Sequence, residues 1–157
     1  MFTAPYSEIL LAGLGGLLIV AAVIDARTFT ISNRLNLVVA LLAPLYWLSV
    51  PLAPWPGVAI QLAAAATVFA ILAGAFYAGM MGGGDVKLAA ALALWFQPLV
   101  TVKFLVLMSI AGGVLTLGLL VWHRVKRRQG RPQIPYGIAI AFGGLAILTQ
   151  RFLNQFA

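Results

Sequence analysis

The sequence predicts an all-α, polytopic membrane protein with about six transmembrane helices and both termini on the extracytoplasmic side. Of its 157 residues, 63% are hydrophobic and only 8% are charged, and the mean hydropathy is +1.06. A soluble domain has about a quarter of its residues charged, so this chain lacks the polar surface that water requires. Because a membrane span needs about 20 apolar residues, the length allows about six crossings and no sizeable soluble domain.

Apolar segments bounded by glycine, proline or charge define the first three helices. The first helix ends at Asp25, and no Lys or Arg precedes Arg27, so it lacks the basic start of a signal peptide and is expected to be a retained span. A polar loop follows over residues 26–34, in which Ser32 or Asn33 caps the second helix. Three prolines then separate the second helix from the third. The six predicted helices cover about residues 7–24, 35–50, 57–78, 86–96, 104–122 and 137–152.

The last three helices are less regular. A glycine-rich stretch over residues 79–84 precedes Asp85, where the fourth helix opens, and this helix is too short to cross a bilayer unaided before Pro98. The fifth helix is a long apolar segment followed by a basic loop. The sixth helix starts after the turn at residues 134–137, with the sequence Ile-Pro-Tyr-Gly. This turn either lines a functional site or is a plain turn, and its Pro and Gly favour the plain turn.

Positive charge gives the orientation. The formal net charge is +7, and eight of the ten Lys and Arg residues fall in three loops on one side, residues 25–34, 79–87 and 123–136. The positive-inside rule makes that side cytoplasmic. Those eight cations are Arg27, Arg34, Lys87, Arg124, Lys126, Arg127, Arg128 and Arg131. The tryptophans near the predicted span ends are expected to be interfacial anchors: Trp47, Trp55, Trp95 and Trp122.

Several function classes are disfavoured by composition. The basic cluster lies in one loop between apolar spans, so it indicates topology or contact with anionic lipid rather than a nucleic-acid partner. The chain has no Cys, which excludes disulfides and thiol nucleophiles. Its one His, His123, stands beside the cationic cluster, whereas a zinc site needs about three protein ligands. No metal and no cofactor are therefore expected.

Two of the three acidic residues are candidates for chemistry. Glu8 lies near the start of the first helix, where it stays hydrated, and no role is expected for it. Asp25 and Asp85 are separated by two complete predicted crossings, so both lie at the cytoplasmic edge of the bilayer. An ionisable residue at such a position is a functional candidate by default. The alternatives are that Asp25 pairs with Arg27 and that Asp85 only caps the fourth helix.

Two neighbouring carboxylates in a medium of low dielectric do not both ionise, so they share a proton near neutral pH. That state suits general acid and base chemistry on a peptide, with neither Asp assigned a fixed role. The glycines that precede the second carboxylate, Gly82, Gly83 and Gly84, leave room for an extended substrate segment. A flexible loop or a tight helix crossing is the alternative interpretation of these glycines.

Both motifs resemble those of the type IV prepilin peptidases. The first motif is Asp25, Arg27 and the segment Ile31-Ser32-Asn33, and the second is a G-x-G-D sequence at residues 82–85 followed by Lys87. The resemblance extends to the separation of the motifs and the pattern of helices. It implies an intramembrane aspartic endopeptidase of the bacterial cytoplasmic (inner) membrane that cleaves pilin-like precursors at the cytoplasmic face.

The resemblance also assigns residues and partners. Asp25 and Asp85 match the catalytic pair, and loop support or substrate binding is implied for Gly82, Gly83, Gly84, Lys87, Arg27 and Asn33. The implied partner is a pilin or pseudopilin precursor with a basic leader and a hydrophobic helix, in a lipid bilayer. Ser32 stands where the long-form family commonly has Pro. With no paired cysteines and nothing before the first helix, residues 1–157 are expected to be one peptidase domain of the short form, without a methyltransferase region.

Two other classes of function stay open at this point. A small proton or cation transporter would use the same carboxylates, although transport sites usually lie near the bilayer midplane. A noncatalytic assembly subunit would use them to bind a basic segment of a partner.

Overall fold

The computed structural model describes residues 4–126 and 133–156. Within these ranges the chain forms six α-helices and no strand, which confirms the all-α prediction. A short irregular turn at Pro54–Val58 leads into the third helix. The helices are α1 (Ala4–Thr28), α2 (Asn33–Ser49), α3 (Ala59–Tyr77), α4 (Gly83–Ala93), α5 (Pro98–Val125) and α6 (Tyr136–Phe156). Arg127, Arg128 and Arg131 of the predicted basic cluster lie outside the described residues.

Among the described residues, four segments are long and apolar enough to cross a membrane, namely Tyr6–Thr28, Pro54–Tyr77, Pro98–Val125 and Tyr136–Asn154. The chain is therefore a multi-pass membrane protein. At a rise of 1.5 Å per residue, the 17 residues of α2 and the 11 residues of α4 span only about 26 Å and about 16 Å. Large apolar side chains are exposed on the outer faces of the bundle, as contact with lipid requires.

Several predicted helix boundaries were wrong; α4, for example, was predicted over residues 86–96 and covers Gly83–Ala93. Two others have a clear physical reason. The first helix was predicted to stop before Asp25, but α1 continues to Thr28, and its last turn is closed by the hydrogen bond from Phe29 N to Asp25 O at 2.8 Å. Phe29 then has a positive φ of 53°, which ends the helix. The fifth helix begins at Pro98 rather than near residue 104, because proline at the first helical position starts a helix instead of breaking it.

The short helix α4 lies inside the bundle, between α2, α3 and α6. Its apolar side chains are almost fully buried, and the carbonyls at its C-terminal end accept hydrogen bonds from neighbouring helices. Trp47 donates to Leu94 O at 2.8 Å, and Gln61 donates to Leu94 O and Phe96 O at 3.0 and 2.9 Å. These contacts satisfy groups that a buried helix end would otherwise leave unpaired.

One tryptophan prediction was also wrong. Trp95 was expected at the membrane interface, but it is only 3% exposed and belongs to the core. Its ring stacks on Tyr46 with centroids 5.3 Å apart, and its indole N–H donates to Val39 O at 3.0 Å. Trp95 follows the end of α4, but α4 is short and lies inside the bundle, so a position near its end is not a position near lipid.

Candidate active site

Asp25 is held by the beginning of another helix. Its side chain lies on α1 three residues before the helix ends and is 2% exposed. The backbone N–H of Gly137, the second residue of α6, donates to Asp25 Oδ2 at 2.7 Å. The first N–H groups of a helix have no partner within the helix and favour negative charge. The carboxylate of α1 therefore occupies the N-terminus of α6.

Only a residue without a side chain fits at position 137. A Cβ there would lie 2.8 Å from Asp25 Cγ and Oδ2, and 2.7 Å from Ile31 Cδ1. These distances are well inside van der Waals contact. The turn at residues 134–137 therefore lines the pocket of Asp25, whereas the sequence favoured a plain turn.

Asp85 lies in the first turn of α4 and is 8% exposed. Its Oδ2 accepts a hydrogen bond from the N–H of Gly82 at 3.2 Å, so the carboxylate satisfies a free donor at the start of its own helix. This helix does not belong to the four segments able to cross a membrane. Burial, and then the negative charge of Asp25, raise the pKa of Asp85 to about 6, while the hydrogen bond from Gly82 lowers it.

The segment between α1 and α2 packs against the backbone beside each of the two carboxylates. A Cβ on Gly84 would lie 2.7 Å from Ile31 O, so the backbone of residue 31 passes directly against the residue that precedes Asp85. The side chain of Ile31 reaches Gly137 on the other side. Ile31 thus contacts the backbone next to each carboxylate. Both carboxylates lie at the same end of the bundle.

Asn36, on α2, holds the carbonyl of Gly84, the residue before Asp85. Its Nδ2 donates to Gly84 O at 2.9 Å, while its Oδ1 is buried without a hydrogen-bond partner among the described residues. The side chain is 5% exposed. A buried amide on α2 therefore positions the backbone beside Asp85, and one strong acceptor in the site stays unsatisfied.

The remaining residues of the two motifs lie at the exposed rim. Lys87 donates to Asn33 Oδ1 at 2.8 Å, which joins the starts of α2 and α4. Ser32 is the N-cap of α2 and accepts from Leu35 N at 3.3 Å, the first of the two predicted caps. Arg27 is exposed on the last turn of α1.

The first glycines of the second motif differ in the space around them. A Cβ on Gly83 would lie 3.4 Å from the nearest ring atom of Phe76, which is close to ordinary contact. A Cβ on Gly82 would lie 2.8 Å from Asp85 Oδ2. A side chain at position 82 would therefore press on the carboxylate, whereas one at position 83 would meet only an aromatic ring.

Both alternative interpretations of the aspartates can be compared with this geometry. Within residues 4–126 and 133–156, no ion pair joins Asp25 to Arg27, and Asp25 instead accepts from the backbone of Gly137. Asp85 does serve the start of α4, as a helix cap would. That contact uses one oxygen, Oδ2, and it is compatible with chemistry at the other oxygen.

Three residues of the site were missed or undervalued from the sequence. Gly137 and Ile31 act through close packing, and Asn36 acts through a hydrogen bond to a residue 48 positions away. A Gly at the start of a helix and an Asn in the first turn of an otherwise apolar helix were the available signals. The described ranges contain no group of three His, Cys, Asp or Glu side chains that would suit a metal.

Comparison with known proteins gives one family. The sequence model of the type IV leader peptidase family matches residues 12–117, a stretch that contains both aspartates and ends within α5. No curated protein and no solved structure matches the chain.

Proposed function

Because this chain belongs to the type IV leader peptidase family, we propose that it is a membrane-embedded aspartic endopeptidase that cleaves the leader peptide of pilin-like precursors. The family is one of peptidases, so hydrolysis of a peptide bond is the reaction to be explained. We assign Asp25 and Asp85 as the catalytic pair.

The assignment rests on two buried carboxylates that lie at the same end of an apolar bundle. Each accepts a hydrogen bond from a backbone N–H at the start of a helix, Gly137 for Asp25 and Gly82 for Asp85. An acid buried in such a protein is costly unless it has a partner or a function. Both of these bonds end on Oδ2, and we assign each Oδ1 to water or substrate.

The pair can perform general acid and base catalysis on a peptide. One carboxylate, as the anion, takes a proton from a water whose oxygen attacks the scissile carbonyl carbon. The other, protonated, donates its proton to the carbonyl oxygen, which gives a gem-diol. As the C–N bond breaks, the first carboxyl passes the proton it took from water to the amine nitrogen, and the second takes its proton back from a gem-diol hydroxyl. Burial and the charge of Asp25 disfavour ionisation of Asp85, so this carboxyl takes up a proton at a higher pH than an ordinary Asp does. The two residues titrate as a unit, so neither has a fixed role.

The surrounding motif residues have supporting roles in this proposal. Gly82, Gly83 and Gly84 support the start of α4: Gly84 lets the backbone of Ile31 pass beside Asp85, and Gly82 leaves room for the carboxylate itself. The contact between Lys87 and Asn33 ties α4 to α2 at the rim. Arg27 is exposed at the same rim, where it contacts lipid headgroups or the precursor.

The proposal includes a membrane arrangement. All six helices cross or enter the bilayer of the bacterial inner membrane, both termini lie outside, and the aspartates lie at the cytoplasmic face. The support is the distribution of Lys and Arg, which favours the loops at the aspartate end. In this arrangement residues 1–157 act as one peptidase domain.

The test is cleavage of a pilin precursor by the purified protein in lipid. Asp25→Asn and Asp85→Asn should each abolish release of the leader, while Glu8→Gln, which removes the third acid, should leave it intact. Equal amounts of each variant in the membrane exclude failure to fold. Processing by either Asp→Asn variant would refute the assignment. Flux of protons or cations without any cleavage would favour a transporter, and cleavage that requires an added peptidase would favour an assembly subunit.

A further inference from the structure

A cleft opens at the end of the bundle opposite the aspartates. Its volume is about 650 Å³, and it lies among the ends of α2, α4 and α6 and the beginnings of α3 and α5. Leu11, in its wall, precedes Asp25 by 14 residues of α1, and Arg151 follows Gly137 by 14 residues of α6. At 1.5 Å per residue, each separation is about 21 Å along the helix. The cleft is therefore remote from the carboxylate pair.

Two cations line this cleft, Lys103 and Arg151. They are the two of the ten Lys and Arg residues that lie outside the three basic loops on the aspartate side. Positive charge is depleted at the extracytoplasmic face of most membrane proteins, so their convergence on one cleft needs a reason. The third acid of the chain, Glu8, lies on α1 one turn before Leu11, so this end of the bundle carries more positive than negative charge.

The guanidinium of Arg151 is held in place by aromatic residues. Arg151 donates to the hydroxyl of Tyr46, and its Cζ lies 5.6 Å from the centroid of the Tyr46 ring. Tyr46 is itself buried and stacks on Trp95. A guanidinium has five N–H donors, so most of them remain available for an anion with several acceptor oxygens. Fixing a long side chain in advance lowers the entropy lost on binding.

The chemistry of the cleft matches a phosphodiester. Arg and Lys are the usual partners of phosphate oxygens, and the amide side chains of Gln97 and Gln150 add neutral donors to the same walls. The apolar part of the cleft suits the first carbons of acyl chains. Leu48 and Leu99, each next in sequence to a lining residue, are exposed large apolar side chains at this end of the bundle. The volume lies within the range of small-molecule sites, about 300–1,000 Å³.

We propose that this cleft binds the headgroup of an anionic phospholipid from the leaflet opposite the catalytic pair. Arg151 and Lys103 contact the phosphate, and Tyr46 and Trp95 form the floor. The site is independent of the peptidase reaction, and the bound lipid fastens together the ends of five helices. It gives the two cations of that face a common counter-charge.

The test uses the full-length protein, delipidated in neutral detergent, with phosphatidylglycerol as the probe. Binding is measured by native mass spectrometry, and stabilisation by the shift in the thermal midpoint, against phosphatidylcholine and against inorganic phosphate. Lys103→Gln and Arg151→Gln should each weaken the binding of phosphatidylglycerol about fivefold, since a cation near a lipid surface contributes about 1 kcal/mol. The double variant should weaken it about 25-fold.

Arg34→Gln is the matched control, because it removes one exposed cation at the other end of the bundle and should leave the affinity unchanged. Thermal midpoints without lipid show whether a variant folds, and Arg151→Lys keeps the charge if Arg151→Gln does not fold. The proposal is overturned if the protein binds the two lipids equally well. It is also overturned if Arg34→Gln loses as much affinity for phosphatidylglycerol as the cleft variants do, or if the double variant loses none. Equal protection by inorganic phosphate would identify a soluble phosphate ligand and exclude the lipid.

Discussion

Replacing Gly137 by Ala should disable the site through one methyl group. The new Cβ would lie 2.7 Å from Ile31 Cδ1 and 2.8 Å from Asp25 Cγ. Ordinary carbon contacts begin near 3.5 Å, so the neighbouring atoms must separate by about 0.8 Å. The start of α6 carries the N–H that binds Asp25 at 2.7 Å, and its retreat lengthens that hydrogen bond.

The size of the effect follows from this displacement. A misplacement of about 1 Å in a catalytic group costs about 100-fold in rate, which corresponds to about 2.7 kcal/mol of transition-state free energy. Overpacking lowers the free energy of unfolding by about 1–3 kcal/mol. The loss should fall on kcat, because the change affects the orientation of Asp25 more than the surface that receives the substrate.

The assay is the rate of leader release from a pilin precursor by the reconstituted protein, with the thermal midpoint measured in parallel. Gly16→Ala is the control, since Gly16 lies on α1 with no atom within 4 Å of an added Cβ. It should keep full activity. Ile31→Val removes Cδ1, so adding it to Gly137→Ala should relieve that clash and restore part of the activity. A folded Gly137→Ala protein with kcat within about twofold of wild type would refute the reasoning.

Four further predictions concern the neighbouring elements. Asp25→Asn should lower the pKa of Asp85 from about 6, because the charge that raises it is removed, and carboxyl infrared bands across pH measure this. In the intact protein, the raised pKa of Asp85 favours folding fully below its ordinary value near 3.8, and this contribution is lost as pH rises through about 6, so Asp85→Asn should flatten the pH dependence of stability there. Asn36→Leu should slow leader release and cost about 1–3 kcal/mol of stability, because Gly84 O loses its donor, and unchanged values of both would contradict a positioning role. Gln61→Leu should lower the thermal midpoint by removing a donor from two carbonyls, while the kcat of the folded fraction stays near wild type, and a selective fall in kcat would be the contrary result.

Local signals predicted much of this molecule. Apolar runs and their bounding residues located all six helices, and Ser32 was one of the two predicted caps of α2. The same reasoning failed at Pro98, where a residue that ends helices in the interior begins one at the first position. It also failed at Trp95, since a position near a helix end means lipid contact only if that helix reaches the surface.

The sequence was enough to place the two carboxylates of the candidate site at one end of the bundle, but not to identify the groups that bind them. The rarity of acids and the even number of predicted crossings brought Asp25 and Asp85 to one end. The partner of Asp25, however, is the N–H of a residue 112 positions away, and every residue except Pro carries an N–H. Which N–H approaches the carboxylate depends on the packing of α6 against α1, a property of three dimensions that a one-dimensional pattern does not contain.

The two carboxylates are held by different parts of the bundle. Asp25 is fixed by α1 and the start of α6, whereas Asp85 is fixed by α4, whose turn is bound by Asn36 of α2. Among the contacts described, Ile31 touches the backbone beside both. The separation of the carboxylates therefore depends on the packing of Ile31 between Gly84 and Gly137, together with the direct packing of α4 on α6. The proposed catalysis requires both carboxylates to act on one water, so it depends on that separation, and the contacts of Ile31 with Gly84 and Gly137 bear on cleavage as well as on stability.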